Sequence, residues 1–166
     1  MKPYLPLAAV LALAPFVQAS AAALSAQDKT FIRQAAIGGL AEIHEGQMAV
    51  SMAQSADVKQ FGQKMIDDHT ANNNELMALA QQKGITPPAA LDSRHKTEAA
   101  TLQKQSGAAF DRTYLKDQIA GHKQMEAVMQ KEIRSGSDPD LKAFAQKTLP
   151  VVQEHLQMAQ QLPTNS

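Results

Sequence analysis

The chain has 166 residues with 16 basic and 16 acidic side chains, and it contains no cysteine and no tryptophan. Balanced charge without a basic, aromatic-rich patch argues against a nucleic-acid partner. The lack of cysteine excludes a disulfide framework and a lipoprotein acylation site. Ala, Gln, Leu and Lys are the most frequent residues, all of which favour helices, and no alternating β-branched run occurs, so we expect an all-α protein.

The first 23 residues resemble a removable export signal. Lys2 precedes an apolar run over 5–17, and small residues at 19–23 suit a signal peptidase, although more than one cleavage position fits. The apolar run is too short for a permanent transmembrane helix. We therefore expect a signal peptide over 1–23, one domain over 24–166, and a periplasmic or secreted location.

The spacing of apolar residues predicts four long helices and one short helix. Ser25 and Asp28 form a capping box that begins the first helix, and Asp57 is a suitable N-cap for the second. Gly84 ends the second helix, and Pro87-Pro88 prevents its continuation. The predicted bounds, in chain order, are about 25–53, 58–83, 93–105, 108–134 and 139–162.

The connections between these helices predict two antiparallel hairpins. Short loops join the first long helix to the second and the third to the fourth, so the members of each pair must run antiparallel. The longer connection between the pairs carries the short helix, which we expect to cross over the bundle. Pro150 lies inside the last helix and predicts a kink or local bulge. No repeat of solenoid type is visible, although the two hairpins are alike in length.

One ionisable residue stands in the middle of the apolar stripe of each long helix: Glu42, His69, His122 and His155. Such groups are costly to bury unless they are paired, hydrogen-bonded or bound to a metal, and one per helix suggests a shared site. Residue counts place Glu42 level with His69, and His122 offset from His155 by roughly 6 Å along the axis. Three imidazoles and a carboxylate are suitable ligands for one Zn, Fe, Mn or Cu ion.

A metal-free interpretation of the same residues stays open. Glu42 and His69 would then form an ion pair, and the other histidines would bond to backbone carbonyls. Asp68 points about 100° away from His69 and is expected at the surface or behind a metal ligand. Glu45 is an alternative auxiliary ligand, and the favoured expectation for it is a solvated or ion-paired carboxylate. The regularly spaced methionines are typical of core packing rather than of a copper site.

Four segments carry a further signal: FIRQAAIGGLAEIHEGQMA, VKQFGQKMIDDHTANNNELMALAQQKG, AAFDRTYLKDQIAGHKQ and DLKAFAQKTLPVVQEHL. In their order and spacing they resemble the secreted bacterial family called domain of unknown function 4142, over about Asp28 to Leu162. The resemblance implies a ferritin-like antiparallel four-helix bundle with a short crossover helix between the hairpins. It also implies export, and it carries no established activity.

The ferritin-like plan can be compared with this chain residue by residue. Ferritin-like di-iron sites take one Glu from each of two helices and Glu-x-x-His from each of the other two. Glu42 matches a lone Glu, but Ile66 and Val152 stand where the two Glu-x-x-His motifs need carboxylates. His122 replaces the remaining Glu. A di-iron oxidase or ferroxidase is therefore disfavoured, and the residues support one metal ion at most.

Our hypothesis from the sequence is a periplasmic or secreted protein that binds one transition-metal ion in its core, for metal handling or stress defence. The alternative is a structural or interaction bundle of the cell envelope with a polar core and no metal. No organic cofactor and no catalytic residue is predicted. The partners to consider are a metal ion and an envelope protein.

Overall fold

A computed structural model describes residues 23–163 and contains, within that range, five α-helices and no β-strand. The all-α prediction is confirmed, and the predicted bounds agree to within three residues at each end. The predicted signal peptide lies, except for its last residue, outside the described residues. The helices are α1 (Ala26–Met52), α2 (Ala56–Gln82), α3 (Ser93–Leu102), α4 (Gly107–Ser135) and α5 (Pro139–Gln161).

Helix starts follow the local sequence. The Ser25 hydroxyl accepts from the Asp28 amide at 3.1 Å and Asp28 accepts from the Ser25 amide at 2.8 Å, which confirms the predicted capping box. Asp138 caps α5 by accepting from two backbone amides at 3.0 Å. The prediction of Asp57 as a cap is wrong, because Ser55 takes the N-cap position and Asp57 lies in the first turn of α2.

The four long helices form a closed ring of neighbours. α1 packs on α2, α2 on α5, α5 on α4 and α4 on α1, while α3 contacts α1 and α4. The short helix therefore lies along the α1–α4 side of a helical bundle. α5 remains helical through Pro150. Within the described range, none of the helices combines the length and apolarity needed to cross a bilayer.

Two sequence segments of the first hairpin have similar counterparts in the second hairpin. DKTFIR at 28–33 in α1 corresponds to DRTYLK at 111–116 in α4, and DVKQFGQK at 57–64 in α2 corresponds to DLKAFAQK at 140–147 in α5. The position number rises by 83 in both cases, as from 28 to 111 and from 57 to 140. The two hairpins therefore share similar segments at equivalent positions of their first and second helices.

Packing contacts repeat with the sequence. Phe31 meets Phe144 edge-on, with ring centroids 6.2 Å apart at an interplanar angle of 66°. The corresponding pair, Tyr114 and Phe61, lies 6.1 Å apart at 62°. These pairs belong to two separate apolar cores. The aromatic contact between the first helix of one hairpin and the second helix of the other therefore occurs twice, once in each core.

Two buried aspartates fasten the hairpins to each other. Asp28 in α1 accepts from two backbone amides of the α4–α5 turn, at 2.9 and 3.3 Å. Asp111, its counterpart in α4, accepts from two backbone amides of the α1–α2 turn, at 2.9 and 2.8 Å. Because these two hydrogen bonds fix the α1–α2 turn, α2 starts at Ala56 instead of at Val58, the start predicted from the sequence.

Candidate metal centre

Three of the four residues predicted to share a site meet in the core. His69 from α2, His122 from α4 and His155 from α5 are 7%, 1% and 0% exposed. One ring nitrogen from each lies within 4.8 Å of those from the other two. The ring centroids are 5.3–5.7 Å apart. The axial offset expected between His122 and His155 does not keep these rings apart.

Hydrogen bonds fix two of the three imidazoles. His122 Nδ1 lies 2.9 Å from the Gln118 carbonyl oxygen, which can only accept, so this nitrogen carries the proton. His155 Nε2 lies 2.8 Å from an Asp68 carboxylate oxygen and donates to it in the same way. Each neutral ring therefore keeps a lone pair on its other nitrogen.

One fully buried nitrogen of each ring is left without a hydrogen bond. His69 Nε2, His122 Nε2 and His155 Nδ1 are buried and find no partner among the described residues. Buried polar atoms are nearly always satisfied by protein, water or a bound ion. Three unsatisfied imidazole nitrogens in one small region are therefore the chemical signature of this site.

Burial keeps the three histidines neutral. It lowers the pKa of His122 from 6.5 to about 4, against the opposing effect of the Gln118 carbonyl. Burial and the neighbouring imidazoles lower the pKa of His69 well below its ordinary value. Burial also lowers the pKa of His155, although the bond to Asp68 acts in the opposite direction. Neutral imidazole is the form that binds a metal ion.

Glu42 lies beside the histidine cluster. Its Oε1 atom is 3.7 Å from His122 Nδ1, which is the nitrogen that donates to the Gln118 carbonyl. Its Oε2 atom is buried without a hydrogen-bond partner among the described residues. The imidazole paired with Glu42 is thus that of His122, whereas the metal-free interpretation paired it with His69. Burial raises the pKa of Glu42.

A buried polar layer continues from Glu42 away from the histidines. Glu45, 8% exposed, accepts from Gln118 Nε2 at 2.9 Å, so the expectation that it is solvated or ion-paired is wrong. The Tyr114 hydroxyl is buried without a partner in the described range. Burial raises the pKa of Tyr114 far above its ordinary value, and the charges of Glu42 and Glu45 add to the effect.

Asp68 forms a hydrogen bond that the sequence did not predict. It is one-third exposed and accepts from His155, on α5, rather than from its neighbour His69. Lys64 pairs with the same carboxylate at 3.0 Å. Although burial would raise the pKa of Asp68, the bonds from His155 and Lys64 lower it. A carboxylate on the far nitrogen of an imidazole orients that ring, as is common behind metal ligands.

Gln118 and Tyr114 are the residues that the sequence analysis missed. Both precede His122 on α4 at intervals of four residues, so one face of α4 carries all three. That spacing was visible in the sequence, but a glutamine and a tyrosine at helical spacing do not by themselves indicate a site. Their importance depends on α1, which brings Glu42 and Glu45 against that face.

Comparison with known proteins gives one family match. The sequence profile of the family described as Domain of unknown function (DUF4142) matches residues 14–162. No curated protein sequence matches the chain.

Solved structures with a similar fold are all-helical. A DUF305 fragment from Deinococcus radiodurans has a TM-score of 0.73 and 12% identity, covering 82% of this chain and 95% of its own. CopM in its Ag-bound and Cu(II)-bound forms gives TM-scores of 0.67 and 0.69, each at 18% identity, with 81% of this chain and 93% of CopM covered. A conserved hypothetical protein from Mycobacterium tuberculosis gives 0.62 at 13% identity, with 82% and 96% covered. At these identities the similarity establishes the fold alone.

Proposed function

The chain belongs to the family Domain of unknown function (DUF4142), and we propose that it is a metal-handling protein that holds one transition-metal ion between His69, His122 and His155. The observation that carries this proposal is the set of three buried imidazole nitrogens without hydrogen-bond partners. Each ring offers one such nitrogen, so one ion would satisfy all three. The three ring nitrogens lie within 4.8 Å of one another and metal–nitrogen bonds are about 2 Å long, so a single ion can lie between them.

The donor set favours copper or zinc within the wider group of Zn, Fe, Mn and Cu. Imidazole nitrogen suits Cu and Zn, whereas Mn prefers oxygen ligands. CopM, whose fold is similar, binds copper(II) and silver, which supports the same class of ion here. A di-iron centre stays disfavoured, because Ile66 and Val152 cannot supply bridging carboxylates.

Glu42 is our proposed fourth ligand. Its Oε2 atom lacks a hydrogen-bond partner in the described residues and its Oε1 atom already lies 3.7 Å from the His122 ring. Because Glu42 faces His122 Nδ1, its side chain would have to change conformation to reach an ion held by His122 Nε2. A carboxylate would also neutralise one positive charge of the ion in a buried setting.

We also propose that the protein is periplasmic or secreted and that its helices form a ferritin-like bundle. The export-signal pattern over 1–23 supports a periplasmic or secreted protein, in which metal handling or stress defence would operate on ions outside the cytoplasm. The ring of four long helices with α3 across the α1–α4 side supports a ferritin-like bundle. Amino-terminal sequencing of the protein recovered from the producing cell tests the cleavage.

Metal titration tests the proposed centre directly. Chelator-treated protein is titrated with Cu²⁺ and Zn²⁺, and bound metal is counted by elemental analysis. We expect one ion per chain, and at a free-ion concentration of 100 Kd a stabilisation of about 2.7 kcal/mol. That corresponds to a rise of roughly 5–10 °C in Tm for a domain of this size.

Matched variants identify the ligands. His122→Ala and His155→Ala should lose the metal-dependent rise in Tm, whereas His44→Ala should keep it, because His44 is exposed on α1. Binding that survives in both core variants, or an unaltered protein that takes up no ion, would overturn the proposal. The metal-free structural bundle would then be the better account.

A further inference from the structure

The line of contact between α2 and α5, here called the α2–α5 seam, is the least closely packed of the four contacts between neighbouring long helices. A groove of about 500 Å³ lies along one end of it, lined by Leu79 of α2 and Phe144 of α5 among others. Pairs of opposite charge cross the seam at N–O distances of 2.6–3.2 Å: Lys64–Glu154, Asp68–His155, Glu75–Lys147, and Lys83 with Asp138 and Asp140. The seam is therefore closed at its surface by charged pairs.

The two apolar cores lie on either side of the histidine cluster along the helices. On α2, Met65 belongs to one core and Leu76 to the other, and His69 lies between them. On α5, His155 also lies between residues of the two cores. The layer between the cores holds buried imidazoles whose free nitrogens lack hydrogen-bond partners among the described residues. Less apolar packing therefore holds α2 against α5 in this layer than in either core.

Lys64 lies at the outer surface of the histidine layer. Its Nζ atom is 3.0 Å from Asp68 Oδ2 on its own helix and 3.2 Å from Glu154 Oε1 on α5. The same Asp68 oxygen accepts from His155 Nε2 at 2.8 Å. The side chains of Lys64 and Asp68 are 35% and 33% exposed, whereas that of His155 is 0% exposed. Three successive polar contacts therefore join the solvent-facing side of the seam to the buried histidine cluster.

The α2–α5 seam is the side of the bundle that opens most easily at the level of the histidines. The opposite side is covered, because α3 packs there on α1 and α4. An exposed ion pair changes an equilibrium constant by about five-fold at most, so the pairs around Lys64 hold the seam only weakly. Regions with little buried apolar contact are those in which proteins open locally.

The histidines themselves face each other across this seam. His69 on α2 belongs to the first hairpin and His155 on α5 to the second, and their ring centroids are 5.3 Å apart. The free nitrogen of His155 is Nδ1, whereas its Nε2 faces Asp68. Movement of the Asp68 carboxylate alone would therefore not open a way to Nδ1, and an ion that enters from this side needs the two helices to part.

We propose that the α2–α5 seam is the gate of the metal centre: it parts at the level of the histidines to admit a divalent cation, and Lys64 holds it shut. This inference rests on the proposed function. The bound ion would then close the seam by joining His69 to His155, since it would replace weak, exposed ion pairs by metal–nitrogen bonds across the same two helices. Lys64 acts here on access to the centre and is not a ligand.

Chemical modification of the histidines measures opening of the gate without any metal. Chelator-treated full-length protein is exposed to diethyl pyrocarbonate, which modifies accessible neutral imidazoles, and mass spectrometry gives the rate at each histidine relative to the exposed His44. Lys64→Gln should raise the rates at His69 and His155 by about two- to ten-fold, because two ion pairs at the gate are lost. Lys147→Gln removes another pair of the seam, about 12 Å from His155 along α5, and should change these rates by less than about two-fold.

A cross-link tests the gate in the opposite direction. Because the chain has no cysteine, the double variant Lys64→Cys/Glu154→Cys can be joined across the seam by a short bismaleimide. The matched control is Glu126→Cys/Gln153→Cys, since these two side chains bond at 2.8 Å within the second hairpin, between α4 and α5.

Zinc release shows whether the gate controls the metal centre. Each zinc-loaded protein is mixed with an excess of a chromogenic chelator, and Kd is measured by competition. We expect release to be several-fold slower from the protein cross-linked across the seam than from the cross-linked control. Release from Lys64→Gln should be about two- to ten-fold faster than from the unaltered protein, with Kd changed by less than about two-fold, because association accelerates equally. The cross-linked pair decides the question if Lys64→Gln folds poorly.

The outcomes separate the gate from the metal centre. Unchanged modification rates in Lys64→Gln, or unchanged zinc release after cross-linking across the seam, would refute the gate and leave the metal centre in place. A Kd of Lys64→Gln raised in proportion to faster release would also refute the gate, and Lys64 would then position His155 through Asp68. Failure of the unaltered protein to bind Zn²⁺ or Cu²⁺ would refute the metal centre and the gate together.

Discussion

The buried histidines make the stability of the metal-free protein depend on acid. Burial lowers the pKa of His122 from 6.5 to about 4, whereas a histidine in the unfolded chain keeps the ordinary value. Between these pH values the unfolded chain binds more protons, so the free energy of unfolding falls as the pH falls from 6.5 to about 4. At 1.36 kcal/mol per pH unit, His122 alone accounts for roughly 3 kcal/mol of that loss.

His122→Leu isolates this contribution. Leucine fills a similar volume without a titrating group, so we expect stability near pH 7 to be kept or slightly raised. The loss of unfolding free energy between pH 6.5 and pH 4 should shrink by roughly 2–3 kcal/mol. Urea denaturation followed by circular dichroism, with a chelator present throughout, measures the difference. His44→Gln serves as the control, because its imidazole is exposed.

An unaltered acid dependence in His122→Leu would refute the reasoning. It would mean that His122 takes up a proton in the folded protein at nearly the same pH as in the unfolded chain. The ring would then have to be hydrated or paired with a charge, and a neutral buried imidazole would no longer be available to the metal.

Three further predictions concern other carboxylates. Burial raises the pKa of Glu132 to about 7, so the protonated side chain stabilises the fold at pH 5 and this stabilisation is lost as the pH rises through 7. Glu132→Gln should therefore raise the free energy of unfolding at pH 8 by about 1–2 kcal/mol and change it little at pH 5. Urea denaturation at the two pH values measures the difference. Asp111→Ala should lower the free energy of unfolding by about 2–4 kcal/mol in the same assay, because two backbone amides of the α1–α2 turn lose a charged acceptor. The control Asp57→Ala should lower it by less than about 1 kcal/mol. Equal losses in the two variants would contradict the role of Asp111 in holding this turn. Asp68→Asn should weaken metal affinity by about 10–100-fold in a competition titration, because it loosens the orientation of His155, and undiminished affinity would exclude that role.

Helix positions were predictable because the chain marks them with local chemistry. Helix ends are set here by residues within one turn of each other: the Ser25–Asp28 capping box, Gly84 and the Asp138-Pro139 pair. Because these interactions are local, they can be recognised from the sequence alone. The start of α2 was misjudged because a distant aspartate, Asp111, fixes the turn before it. Local signals carry no information about a partner 56 residues away.

The histidines were also predictable, because a polar group in the middle of an apolar stripe must face the core. What could not be predicted is how far each helix rotates about its own axis. That rotation sets Glu42 against His122 instead of His69, and buries Glu45 against Gln118. The correspondence between the hairpins was present in the sequence at positions 57–64 and 140–147, and it would have indicated the repeated aromatic contact.

The similarity between the two hairpins raises the question of why this bundle would hold the single proposed metal centre instead of two. A dimer of identical hairpins would have to supply every ligand twice, once on each side of its axis. Because both hairpins lie in one chain, equivalent positions can carry different residues: the counterparts of His69, His122 and His155, 83 residues away, are Val152, Gly39 and Asn72. The covalent link between the two similar hairpins therefore allows the histidine cluster to occur only once among the described residues.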